Sequence, residues 1–216
     1  MIFEINQTRT SFRMEYVAQD IKTKTICIAK VPFQKIGLDI FFKFDDITNR
    51  MYFNNRDTTY GTSAEDRMKF RIFDSEDALI GESKMVPIKG HGFLQSYWRL
   101  ELNLDGVKYT LYEVGFGHDG LYLCIYKEDK ELVAIVDKQL RVIDFQDKYT
   151  VYSDSEEHSK YIMYLVLHYD ITKYGDVGQR AMHSDKKKIV NTISKEAKAK
   201  YDPDFIPRIK AMHEAE

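Results

Sequence analysis

The chain has 216 residues, enough for one sizeable domain or a domain with a tail, and its formal net charge of −2 supplies no overall basic field. Nucleic-acid binding is therefore not expected. With 15 tyrosines and 13 phenylalanines against 4 prolines, and 44% hydrophobic residues, the composition excludes a disordered chain and favours a packed protein rich in strand formers.

The start, Met1-Ile-Phe-Glu-Ile-Asn, carries an acid where a secretory leader needs a base, and no apolar run of leader length follows. A cytoplasmic location is expected. The first 150 residues then give one strand candidate after another, at the 8–12-residue spacing of all-β barrels and sandwiches. Residues 2–6, 11–18, 24–31 and 38–44 come first, followed by a polar connection from Asp45 to Asp57 with a short apolar piece, Met51-Tyr52-Phe53, inside it. Residues 58–66 read as a loop. Residues 68–73 and 79–85 are joined by the acidic turn Asp74-Ser75-Glu76-Asp77, and Gly90-His91-Gly92 marks a break. Residues 97–104 alternate, with Trp98, Leu100, Leu102 and Leu104 on one side, and Asp105-Gly106 is a strong hairpin signal before residues 108–114. Residues 121–126, 132–136, 140–144 and 148–152 complete the series. Cys27 and Cys124 sit in two of these apolar runs without CxxC spacing, which predicts buried, reduced thiols.

Only then does a helix appear. Ser153 followed three residues later by Glu156 reads as a capping box, and Tyr161, Ile162, Met163, Tyr164, Leu165, Val166 and Leu167 are consecutive apolar residues. Seven in a row give two helical turns no polar side, so a helix over about 154–170 has to be buried all round. Seven is far short of the roughly 20 residues of a membrane span. Beyond Tyr174, Gly175-Asp176-Val177-Gly178 reads as a linker. Residues 185–200 read as a helix capped by Ser184, with Ile189, Val190, Ile193 and Ala197 as a stripe and six lysines against one glutamate between Lys186 and Lys200. A last short helix is expected over 205–213. The expected organisation is thus a barrel over 1–174 and a helical extension over 175–216.

Few motifs carry chemistry. Gly115-Phe-Gly-His-Asp-Gly120 matches a phosphate-binding glycine pattern, but the apolar, β-favouring run 121–126 follows, so the glycines join two strands and lack the helix N-terminus such a site needs. No histidine pair has metal-binding spacing, and no nucleophile elbow is present. No cofactor, metal site or catalytic residue is expected, and the chain reads as non-enzymatic. Arg67, Lys69 and Arg71 alternate with Met68, Phe70 and Ile72, which places three cations about 7 Å apart on one strand face. Such a ladder, extended by Lys84 and by Lys89, His91 and Arg99 if those lie on neighbouring strands, could hold a phosphorylated head group. The competing reading is a solvated face balanced by Asp66, Asp74, Glu76 and Asp77. A barrel-end pocket near His118 and Asp119 is a third candidate site.

About a dozen strands followed by one hydrophobic helix resemble the tubby C-terminal-like superfamily, and within it the LURP-one-related family with its bacterial members. The resemblance rests on Met68-Lys-Phe-Arg-Ile-Phe-Asp74 with Ala78-Leu-Ile-Gly81 and Lys84, on 109–117, on 131–138 and on 147–152, and covers about 67–172. It implies a closed antiparallel barrel of roughly 12 strands around a central helix, a fold similar to that of phospholipid scramblases. It also implies phosphoinositide binding of the kind tubby proteins perform through basic surface residues. The expectation is a non-enzymatic barrel that binds anionic phospholipid head groups, peripherally at a membrane, through Arg67, Lys69, Arg71 and Lys84. The alternative is a protein-interaction scaffold that uses its C-terminal helices.

Overall fold

The computed structural model describes residues 1–9, 13–21, 24–34, 37–53, 69–88, 97–141, 146–174 and 189–215. Twelve strands form the body: β1 (Ile2–Arg9), β2 (Arg13–Asp20), β3 (Thr25–Pro32), β4 (Leu38–Phe44), β5 (Ile47–Phe53), β6 (Lys69–Phe73), β7 (Leu79–Ile88), β8 (Tyr97–Leu104), β9 (Val107–Gly117), β10 (Leu121–Lys127), β11 (Glu131–Lys138) and β12 (Lys148–Ser153). Each pairs antiparallel with the next in sequence, and β12 returns to β1 with Ile2 opposite Tyr152, so the sheet closes into a barrel. Closure of this kind removes the unpaired edges that invite aggregation. The turns follow the sequence signals. Asp105 and Gly106 both take positive φ, 55° and 78°, in the β8–β9 hairpin. In the acidic β6–β7 turn, Asp74 Oδ1 accepts the amides of Glu76 and Ala78, each at 2.9 Å.

Two strand assignments need correction. The piece expected at 51–53 is the end of a seven-residue strand, β5, that begins at Ile47 right after the Asp45-Asp46 turn. Its polar start hides the strand because Asn49 lies on the core side, where its Nδ2 donates to the Tyr164 hydroxyl at 2.6 Å. Of the strand expected at 140–144 only Leu140 and Arg141 are described, as a bend and an isolated bridge after β11 ends at Lys138, and 142–145 lie outside the described residues.

A 3₁₀ turn (Glu156–His158) leads from β12 into α1 (Ser159–Tyr174). Ser153 does not cap it. That residue is the last of β12, opposite Ala134, and its hydroxyl donates to the carbonyls of Val133 and Ser155, while the Ser155 hydroxyl accepts the Glu157 amide. Strand pairing claims the serine that local spacing assigns to the helix. Ile162 through Leu167 have no exposed surface, and one apolar cluster gathers them with the alternate residues of the strands, among them Phe3, Ile5, Phe42, Ile72, Leu102 and Leu123. Full burial contributes roughly 1.5–3 kcal/mol for each Leu, Ile, Val or Met, as an upper bound.

Polar groups on α1 fix its rotation. Tyr161 stacks on Tyr109 of β9 at 4.3 Å, Tyr164 meets Asn49 of β5 and Phe42 of β4, and His168 Nδ1 lies 2.6 Å from Ser83 Oγ of β7. Near the helix's end Asp170 accepts the hydroxyls of Tyr16 (β2, 2.5 Å) and Tyr149 (β12), and lies 3.8 Å from Lys138 Nζ (β11), which donates to Asp147 and to Tyr149 at 2.8 Å. All five residues are buried. Fully ionised, one ammonium and two carboxylates would leave a net negative charge in a dry site, so burial pushes the Asp170 carboxyl above its ordinary range.

The tail packs on the barrel's outside. β13 (Val190–Asn191) pairs with Gly117 and Phe116 of β9, and α2 (Lys195–Lys198) and α3 (Phe205–Glu214) cover β9, β12 and β1. The lysine-rich helix expected over 185–200 is therefore a strand and a four-residue helix in its described part, with Ser194 accepting the Ala197 amide as cap. Residues 185–188 lie outside the described residues. Phe205 and Ile209 of α3 meet Tyr112, Val114, Cys124, Ile135 and Tyr152 in a second apolar cluster. Burial on both faces explains why β10 and β11 read as continuous apolar runs. Both cysteines are free and buried, and burial pushes their thiols up.

A raised Asp170 carboxyl has a pH signature. The folded chain holds a proton there that the unfolded chain releases near its ordinary value of 3.8, so this contribution is full below that value and is lost as pH rises through the folded one. The melting-temperature advantage of the native chain over Asp170→Asn is expected to shrink from about pH 4 toward neutrality. An advantage that grows over that range would mean the carboxyl is lowered and the cluster works as a plain ion pair.

Candidate functional site

Alternation on β6 places Phe70 and Ile72 in the core and Lys69 and Arg71 on the outer face. Register carries that face onward: Lys69 stands opposite Lys84, Arg71 opposite Glu82, and Lys84 opposite Glu101. Three of the four expected cationic residues thus share one surface, while Arg67 lies outside the described residues, as do Lys89 and His91. Neutralisation is partial. Lys69 pairs with Glu82 at 2.5 Å, and Glu101 is held by Arg99 at 2.5 Å and Lys108 at 3.4 Å. Of the acids expected to balance the ladder, Asp74 closes the hairpin, Asp77 pairs with Arg50 at 2.9 Å, Glu76 stands exposed in the turn, and Asp66 lies outside the described residues.

What this surface can do follows from its charge. Lys69 and Lys84 face each other directly across two strands, a like-charge pairing that is unfavourable on its own. Glu82 relieves Lys69, whereas Glu101, opposite Lys84, is shared with Arg99 and Lys108. A phosphate or carboxylate placed between Lys69, Arg71 and Lys84 would relieve the repulsion and accept from a guanidinium at once.

At the opposite edge of this face the sheet comes apart. β8 pairs with β9 only as far as Arg99 opposite Tyr112, and beyond that point residues 190–192 run beside β9 instead. The Thr192 amide donates to the Gly115 carbonyl, and the Gly115 amide to the Thr192 hydroxyl, each at 2.9 Å. Gly115 permits this approach, since a Cβ there would lie 2.2 Å from the Val190 carbonyl oxygen. The glycine motif thus has a structural use, with Gly117 at φ 69° opening the turn to β10. The gap holds a cleft of about 230 Å³ with Trp98, Arg99, Glu113, Tyr169 and Lys173 on its walls. Glu113 accepts the Tyr169 hydroxyl and pairs with Lys173 at 2.5 Å, tying the end of α1 to β9.

This cleft escapes the sequence. The alternation over 97–104 groups Trp98 with the core leucines, yet Trp98 is 45% exposed because β9 has turned to another partner. Arg99, by contrast, does extend the outer face as expected. His118 and Asp119 sit exposed in the β9–β10 turn and do not line the cleft. Of the apolar residues of the C-terminal helices, Ala197, Phe205 and Ile209 are buried, Phe205 and Ile209 against the barrel, while Met212 stands 52% exposed. Among the described residues, no helix is long and apolar enough to cross a membrane, and no cluster of three or more His, Cys, Asp or Glu could hold a metal ion. No protein-family model, curated protein or solved structure matches the chain.

Gly115→Ala is expected to drive residues 190–192 off β9 while the barrel stays folded, at a cost of about 1–3 kcal/mol. Hydrogen exchange at the Thr192 amide reads this directly. Protection equal to that of the native chain would show that the glycine is not what admits the segment.

Proposed function

We propose that the protein is a non-enzymatic, tubby-like barrel of the LURP-one-related type, with α1 running through its interior, and that it binds anionic phospholipid head groups on the outer face of β6 and β7. A barrel of twelve strands about 4.8 Å apart and tilted about 40° is roughly 24 Å across, and core side chains leave about 14 Å of that, room for one helix and not two. The helix's contacts with β2, β4, β5, β7, β9, β11 and β12 support that position. The chain is read as a cytoplasmic protein that visits a membrane surface from outside.

The observation that carries the binding proposal is the direct opposition of Lys69 and Lys84, with Arg71 two residues along the same face. Each such cation near an anionic surface contributes on the order of 1 kcal/mol, and the attraction weakens with salt. The scaffold alternative has less support, because α3 already turns Phe205 and Ile209, its two buried apolar residues, onto the barrel.

Co-sedimentation with vesicles tests it. The native chain is expected to bind phosphatidylserine-containing vesicles and not neutral ones, with binding falling as salt rises. The variant Lys69→Glu, Arg71→Glu, Lys84→Glu is expected to lose that binding with its melting temperature little changed. Equal binding by the folded triple variant would sink the proposal.

A further inference from the structure

The cleft between β8 and β9 meets the outer face at Arg99 but has a chemistry of its own. Met85, Leu100 and Leu111 give it apolar walls, and apolar residues stand exposed along it, Trp98 at 45% and Ile193 at 65%. Its charged groups are unequal. Glu113 is satisfied by Tyr169 and Lys173. Arg99 pairs with Glu101 through a terminal nitrogen, but its Nε is buried with no acceptor among the described residues. A buried donor without a partner is costly, so the guanidinium that lines this cleft is incompletely satisfied by its protein partners.

We propose that the cleft binds a small amphipathic carboxylate, an acid with an alkyl chain. Its carboxylate would accept from the Arg99 guanidinium, and its chain would lie against Met85, Leu100 and Trp98. Guanidinium geometry suits a carboxylate, whose second oxygen can take a neighbouring donor such as the Lys173 ammonium, which has three N–H groups. The volume, about 230 Å³, is below the roughly 300–1,000 Å³ of sites for drug-sized ligands, which favours a short chain over a whole lipid. The exposed Trp98 and Ile193 are then the surface that the ligand's chain covers on entry.

Trp98 is the only tryptophan in the chain, so its fluorescence reports on this cleft alone. Titration of the full chain with octanoate is expected to shift that emission saturably, at least tenfold more tightly than octanol, which has the chain without the charge. Arg99→Gln is expected to weaken octanoate binding tenfold or more with an unchanged circular dichroism spectrum. The Lys69→Glu, Arg71→Glu, Lys84→Glu variant is expected to keep the native response, which separates this site from the vesicle-binding face. No emission change and no calorimetric heat with octanoate, an equal response to octanol, or an unaltered affinity in Arg99→Gln would each overturn the proposal. The comparison of octanoate with octanol on the native chain decides the matter even if the arginine variant does not fold.

Discussion

The structure depends on one constraint: α1 has no polar side through two full turns. Ile162 to Leu167 are all inaccessible to solvent, so the helix needs apolar partners in every direction at once. A flat sheet covers one side of a helix, whereas a closed one can cover all of them. The order of the chain suits the enclosure we propose. Twelve strands pair each with its neighbour in sequence, and the helix follows the last of them through a single 3₁₀ turn. Apolar contact alone would let such a helix rotate or slide, and its few polar atoms prevent that. Tyr164, His168 and Asp170 each reach a different strand, and each is a buried group that would be penalised if displaced from its partner.

The same sheet has an outside, and the tail decides which part of it is available. α3 lays Phe205 and Ile209 over β9 to β12 and the start of β1, where Tyr112, Val114, Cys124 and Ile135 require cover. The outer face of β6 and β7 carries lysine and arginine instead and has no such need. Function is accordingly proposed where the barrel shows charge to solvent. The split between β8 and β9 is the border between these regions, and residues 190–194 close it by borrowing the hydrogen bonds that β8 gives up.

Much of this architecture is legible in the residues. Alternation and turn chemistry locate most of the strands, and a run of seven apolar residues announces a helix that cannot be at the surface. The misses have a common cause, which is that a distant partner outbids the local signal. Asn49 makes β5 look like a loop because its amide serves Tyr164, 115 residues away. Ser153 looks like a helix cap, but it is held by β11. Ile189, Val190 and Ile193 mimic a helical stripe, yet Val190 is drawn into pairing with β9 beside Gly115, and Ile189 and Ile193 stand exposed on either side. Of the candidate site, the alternation of Lys69 and Arg71 is visible on one strand, while the opposition of Lys84 and the acids that intervene depend on register. The cleft is invisible for a similar reason, since it exists only where two paired strands separate.

We propose that α1 is enclosed by the barrel, and native-state hydrogen exchange of its amides is the direct test. An enclosed helix cannot open until the barrel does, so the amides of residues 162–167 should exchange only through global unfolding, with the same free energy and denaturant dependence as β11 and β12. Exchange of those amides through a local opening of clearly lower free energy, comparable to that of α3 on the outer surface, would contradict it.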